Sequence, residues 1–303
     1  MLSVFAWLLT VLVVVRLLDH LRFDNYSKFY SVLILAFLPS SVFYTSVTLR
    51  EAYQMLFVTY FVYSMVRFYK TSSLLHFLCI PIFCFLAATL HKALIAYSLV
   101  SIALFIIFTS LINMKKKFTK VRFYMITLIV VSLFPLALSI VQSYDPRVDE
   151  GLITAVATFQ EGAIPEGAIS RAQYRFVVIE NNLSSFLLFF PTAFIQYQLE
   201  PLPWNIGSIA DFFFIFENIL RAYLIYVAAS YLLKSRGKFE DKNKASILFI
   251  FLAYLLLEFL WALGTVNWGT ASRHHLPSLG LLVVASAYSF KSMHKGLFFK
   301  HAK

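Results

Sequence analysis

Charge is the scarcest property of this chain. Only 14% of its 303 residues are Asp, Glu, Lys or Arg, where soluble globular proteins carry roughly 25%. That shortage excludes a soluble enzyme, a DNA-binding domain and a disordered tail. Cysteine is nearly absent: Cys79 and Cys84 sit in one apolar run, which rules out a disulfide framework and matches no metal-ligand spacing. There is no P-loop, no Rossmann glycine pattern and no His-Glu-x-x-His signature, so nucleotide, dinucleotide and zinc-protease chemistry have no footing. What is abundant is apolar surface: 60% hydrophobic residues, including 33 Phe and 17 Tyr, and a mean hydropathy of +0.76. The runs are continuous rather than alternating, which points to helices and away from a membrane β-barrel.

The sequence therefore predicts an all-α, polytopic transmembrane helix bundle, with residues 1–303 as a single integral membrane domain. About nine spans are expected, at 2–18, 29–48, 52–66, 74–90, 93–112, 123–142, 209–233, 246–263 and 277–290. The apolar stretch 183–199 carries Pro191 and reads as a re-entrant or interfacial helix within a large outer loop, 143–208. Nineteen of the 26 Lys and Arg fall on one side of this arrangement: Arg16, Arg22 and Lys28; Arg67 and Lys70; Lys115, Lys116, Lys117, Lys120 and Arg122; Lys234, Arg236, Lys238, Lys242 and Lys244; and Lys291, Lys295, Lys300 and Lys303. The positive-inside rule makes that side cytoplasmic, with the N-terminus outside and the C-terminus inside. The net charge of +11 then reflects topology and contact with the lipid bilayer, not a nucleic-acid partner. The first run lacks a basic flank and a small-residue cleavage site, which argues against a cleaved signal peptide.

Seven cations face outward against this bias: Arg50, Lys92, Arg147, Arg171, Arg175, Arg221 and Arg273. Each needs a reason to be there. Arg50-Glu51 places a cation and an anion at a tight connection, and His91-Lys92 repeats the pattern one hairpin later. Arg171 and Arg175, four apart, share a helical face and present two guanidinium forks, or else form a solvated pair held by Glu166 or Glu180. Residues 267–277 contain Gly269 for a tight turn, Arg273 at the mouth of the bundle, His274 and His275, and Pro277 in the first turn of the last helix. Adjacent histidines diverge on a helix, so no metal site is expected there. Asp211, Glu217, Arg221 and Glu258 lie in or near the bilayer; Glu217 and Arg221, one turn apart, have the spacing to neutralise each other. Trp204 and Trp268 suit interfacial anchoring or sugar stacking.

Arginine forks suit diphosphate oxygens, and a lipid-linked diphosphate presents such a group at the membrane surface. Arginines stabilise the leaving charge without a metal or other cofactor, while an acceptor hydroxyl needs a base, for which His91, His274, Glu51 and Glu217 are the catalytic candidates. Arg50, Lys92, Arg171, Arg175, Trp204, Arg273 and His275 are the candidates for holding substrate.

Three stretches carry a resemblance: Phe37-Leu38-Pro39-Ser40 with Leu49-Arg50-Glu51; Leu202-Pro203-Trp204 with Glu217; and Gly269-Thr270-Ala271 with Arg273-His274 and Leu276-Pro277. Together they resemble the Wzy-type O-antigen and capsular polysaccharide repeat-unit polymerases, related in architecture to GT-C glycosyltransferases. The resemblance implies polymerisation of undecaprenyl-diphosphate-linked glycans at the outer face of the bacterial cytoplasmic membrane, with a chain-length regulator protein as a further partner. Arg50, Arg171, Arg175 and Arg273 would then stand where that family has its essential outer arginines. Two other readings compete: a GT-C glycosyltransferase using a polyprenyl-phosphate sugar, and a glycolipid transporter.

Overall fold

The computed structural model describes residues 2–47, 49–113, 171–174, 183–234 and 242–290, together with Thr154, Val156, Ala157, Thr158 and Gln160. Among these the fold is helical throughout, and the only sheet-like pairing is an isolated antiparallel bridge between Gln173 and Asn267. The helices are α1 (Leu2–His20), α2 (Asn25–Phe37), α3 (Pro39–Ser46), α4 (Glu51–Thr71), α5 (Leu74–Leu90), α6 (Ala93–Asn113), α7 (Leu183–Leu199), α8 (Ile209–Lys234), α9 (Lys242–Gly264), α10 (Trp268–His274) and α11 (Leu276–Ser286). The expected span 123–142, nearly half of the loop 143–208 and the basic C-terminal tail lie outside the described residues.

Three helices, α1, α8 and α9, are long and apolar enough to cross a membrane, and a fourth crossing follows if α2 and α3 count as one bent span. The nine spans expected from sequence are thus matched only in part. Helix α4 has the length, but its ends carry Glu51, Arg67 and Lys70. Helix α5 has 17 residues and contains Pro81, and α11 has 11. The expected span 29–48 divides because Pro39 starts a new helix: Leu38 before it is extended, as the pyrrolidine ring requires, and the axis turns by 57°. Arg16, expected in a loop, lies within α1 one turn before its end.

Burial is inverted relative to a soluble protein. Along α8 the buried residues include Asp211, Glu217, Asn218 and Arg221, while Phe212, Phe213, Phe216, Ile219 and Tyr226 are exposed. Water would reverse that choice; hydrocarbon imposes it, because polar groups must find partners inside the bundle. Helix α11 forms the centre, with all 11 of its residues buried, as a helix apolar on every side must be. It packs closely on α4 at Gly280, where a Cβ would stand 2.8 Å from Thr59 Oγ1.

The two ends of the bundle differ. At one, Lys28 pairs with Asp19 at 2.5 Å, Arg67 donates to His76 Nε2 at 3.0 Å and lies 2.7 Å from His20 Nδ1, and Lys70 donates to Asn243 Oδ1 at 2.5 Å. The basic residues after α1, in the last turns of α4 and at the start of α9 therefore lie at one end of the bundle. The other end carries Arg50, His91, Arg273 and His274.

Candidate functional site

The second end is organised by the break between α2 and α3. A helix start leaves N–H groups without intrahelical partners, and Glu217 of α8 supplies one: its carboxylate accepts the Ser40 backbone N–H at 3.0 Å and the Ser40 hydroxyl at 2.5 Å. The expected Glu217–Arg221 neutralisation is replaced by this long-range cap, so Glu217 is a positioning group for α3. From α3, Ser41 accepts the Trp7 indole N–H at 3.0 Å, and Tyr44 shares a 2.5 Å hydrogen bond with Ser272 of α10. That bond brings α10 to the break, and with it Arg273; the Tyr44 phenol lies within electrostatic reach of Arg273, Glu217 and Glu51.

Helix α10 occupies the place where the sequence suggested a tight turn at Gly269. Asn267 caps it, its side chain accepting the Thr270 N–H at 2.7 Å, and Gly269 falls in its first turn. His274 then stacks on Trp261 at 4.4 Å between centroids, His91 makes a T-shaped contact with the same indole at 4.6 Å, and the two imidazoles stand 6.4 Å apart. Burial, followed by the charge of Arg50, holds His91 down to about pKa 4. Burial, then His91 and Arg273, holds His274 down to about 3. Both rings are neutral at pH 7.

Their tautomers follow from the partners. The Thr265 hydroxyl donates its single hydrogen to the Trp261 carbonyl at 2.7 Å, so at its 3.0 Å contact with His274 it can only accept. His274 Nδ1 carries the hydrogen, and Nε2 keeps a lone pair. His91 is the reverse: the Ala93 backbone N–H donates to its Nδ1 at 3.2 Å, so its Nε2 carries the hydrogen. One ring is a proton acceptor and its neighbour a donor.

Arg50, exposed at the start of α4, donates to the Leu90 carbonyl at 3.5 Å beside His91. Glu51 is buried, and its Oε2 has no hydrogen-bond partner. The structure thus brings together six residues singled out from sequence: Arg50, Glu51, His91, Glu217, Arg273 and His274.

The remaining sequence candidates are placed elsewhere. Arg171 pairs with the buried Asp211 carboxylate, which also accepts the Gly207 N–H at 2.9 Å and the Trp268 indole N–H at 3.2 Å. The backbone of 171–174 runs beside 266–268, with Tyr174 N–H donating to the Val266 carbonyl at 2.8 Å and Trp268 N–H to the Ala172 carbonyl at 3.1 Å. Arg171 fastens this segment to α8, and it is no longer an uncommitted clamp. Arg175 lies outside the described residues. Trp204 is 75% exposed in a short 3-10 turn, suited to anchoring in an interface. Lys92 is exposed on the turn after His91. His275 is buried on the far side of α10 and contacts Glu258 at 2.7 Å through Nδ1, so it faces the bundle interior. Among the described residues, no group of three or more His, Cys, Asp and Glu side chains is arranged to hold a metal ion.

Tyr44, Ser40, Ser272, Thr265 and Trp261 complete the site, and sequence reasoning did not select them. Their only local signal was a hydroxyl or indole within an apolar run, which is too common to discriminate. The chain matches no family model, and neither the curated proteins nor the solved structures gave a significant match.

Proposed function

We propose that the chain is a membrane glycosyltransferase of the repeat-unit polymerase type, acting on undecaprenyl-diphosphate-linked oligosaccharides at the outer face of a bacterial cytoplasmic membrane, with nine crossings in the complete fold. The observation that carries this reading is the pairing of a neutral acceptor imidazole, His274, and a neutral donor imidazole, His91, between Arg50 and Arg273. His274 Nε2 takes the proton of the acceptor sugar hydroxyl as its oxygen attacks the anomeric carbon. The bond from that carbon to the diphosphate oxygen breaks, and undecaprenyl diphosphate leaves with its charge held by Arg50 and Arg273. His91 Nε2–H donates a hydrogen bond to the departing group, and Glu51 balances the cations.

Reconstitution with defined lipid-linked repeat units tests this: a ladder of glycans lengthening by one unit is expected, and it continues under exhaustive chelation. Recovery of unextended repeat units alone, from protein that is folded and correctly inserted, removes the polymerase reading. The pH profile gives a second check. Because both imidazoles titrate far below 6.5, at about 4 and about 3, the base remains unprotonated as the medium acidifies, and the extension rate stays flat from pH 7.5 down to about 5. A fall centred near pH 6.5 would show that an ordinary histidine is the base.

Two features favour a transporter as the second reading. The bent α2–α3 pair and the buried charges of α8 and α9 are the broken-helix and interior-charge features that transporters use. Movement of a fluorescent lipid-linked glycan across proteoliposomes, without chain growth, would decide for it.

A further inference from the structure

Arg221 is the most deeply placed cation of α8, one turn beyond Glu217 and about 15 Å along the axis from Asp211. It is 4% exposed. Among the described residues its side chain donates one hydrogen bond, from Nη2 to Asn218 of the preceding turn, and both Nε and Nη1 are buried without a partner. No carboxylate among the described residues pairs with it. Glu217, at the favourable helical spacing, is taken by Ser40. Glu258 is within electrostatic reach but already accepts from Ser278 and Gln198 at 2.5 Å and pairs with His275.

The surroundings repeat this imbalance. Tyr174 and Tyr197 lie within reach of the Arg221 charge and of each other, are 5% and 0% exposed, and have hydroxyls with no partner. They come from different parts of the chain: Tyr174 from the segment that Arg171 fastens, Tyr197 from α7, its ring 4.2 Å from His275. A guanidinium and two phenols thus leave hydrogen-bond donors unused in one buried region, where unpaired donors are costly. Water, with two acceptor positions, adds no negative charge beyond that of Glu258, which is already shared with His275. An oxyanion supplies several acceptor oxygens together with further negative charge.

We propose that Arg221, with the phenols of Tyr174 and Tyr197, forms a buried binding site for a phosphate-type oxyanion, separate from the His91–His274 site. The proposal does not depend on the glycosyl-transfer chemistry, since it concerns binding alone. Calorimetric titration of the purified full chain in phosphatidylcholine nanodiscs, with inorganic phosphate and with decyl phosphate in separate arms, tests it. Saturable binding is expected, weakened about tenfold or more by Arg221→Gln and about three- to tenfold by Tyr197→Phe. Binding of decyl phosphate alone identifies a lipid phosphate as the source; binding of both identifies the oxyanion itself. Should Arg221→Gln fail to fold, Tyr197→Phe decides, because it removes one hydroxyl from a packed ring. No saturable binding of either ligand, unchanged affinity in Tyr197→Phe, or a loss confined to Arg273→Gln would overturn the site.

Discussion

If the chain extends glycans as proposed, Arg273→Ala is expected to lower that activity by about 100-fold or more, with the protein still accumulating at normal levels. The magnitude is that of removing one preorganised group aimed at developing negative charge. Arg273 is half-buried on α10, beside the His274 imidazole and within reach of the Tyr44 phenol, and no ion pair among the described residues uses it. Its loss therefore breaks no ion pair among the described residues and costs little stability. Arg171→Ala is the contrast. There the partner is Asp211, buried on α8 and left with a charge to satisfy, so protein yield falls along with activity. Glycan length on gels, normalised to immunoblotted protein, separates the two outcomes. Normal-length polysaccharide in Arg273→Ala would end the view that this guanidinium holds the leaving diphosphate.

How much of this was legible beforehand follows from how far apart the interacting residues lie. Helical class, membrane character and the grouping of the basic segments were readable because each depends on composition or on short windows. The division of 29–48 was visible in Pro39 only as a local break; what makes the break useful, Glu217 reaching Ser40 across 177 residues, leaves no trace in either segment. Arg50, His91, Arg273 and His274 stood out because polar groups at the ends of apolar runs are conspicuous. Their complementary tautomers were not readable, since these depend on the Thr265 hydroxyl and the Ala93 amide. The same limit misdirected Arg221, which has the right spacing to pair with Glu217 yet loses that partner to tertiary structure. It also misdirected His275, whose ring turns inward while its neighbour's faces the site, as adjacent positions on a helix must.

Glu258→Ala is expected to destabilise the fold by about 3–5 kcal/mol, the usual consequence of deleting one partner from a buried charged pair. The carboxylate is fully buried and collects three groups: Gln198 of α7 at 2.5 Å, His275 between α10 and α11 at 2.7 Å and Ser278 of α11 at 2.5 Å. His275 Nε2–H donates to the Tyr197 carbonyl at 3.1 Å, so a proton also lies between its Nδ1 and the carboxylate, and truncation leaves the ring without its acceptor. Glu258→Gln keeps the shape but turns an N–H toward groups that already donate, giving a smaller yet distinct loss. Replacing both partners, as in Glu258→Leu with His275→Leu, recovers part of the deficit, because an apolar pair leaves nothing unsatisfied. Thermal unfolding in detergent measures the series. A single substitution no more damaging than an exposed control such as Trp204→Ala would mean that this network does not hold α7, α9 and α11 together, and the central packing would need another cause.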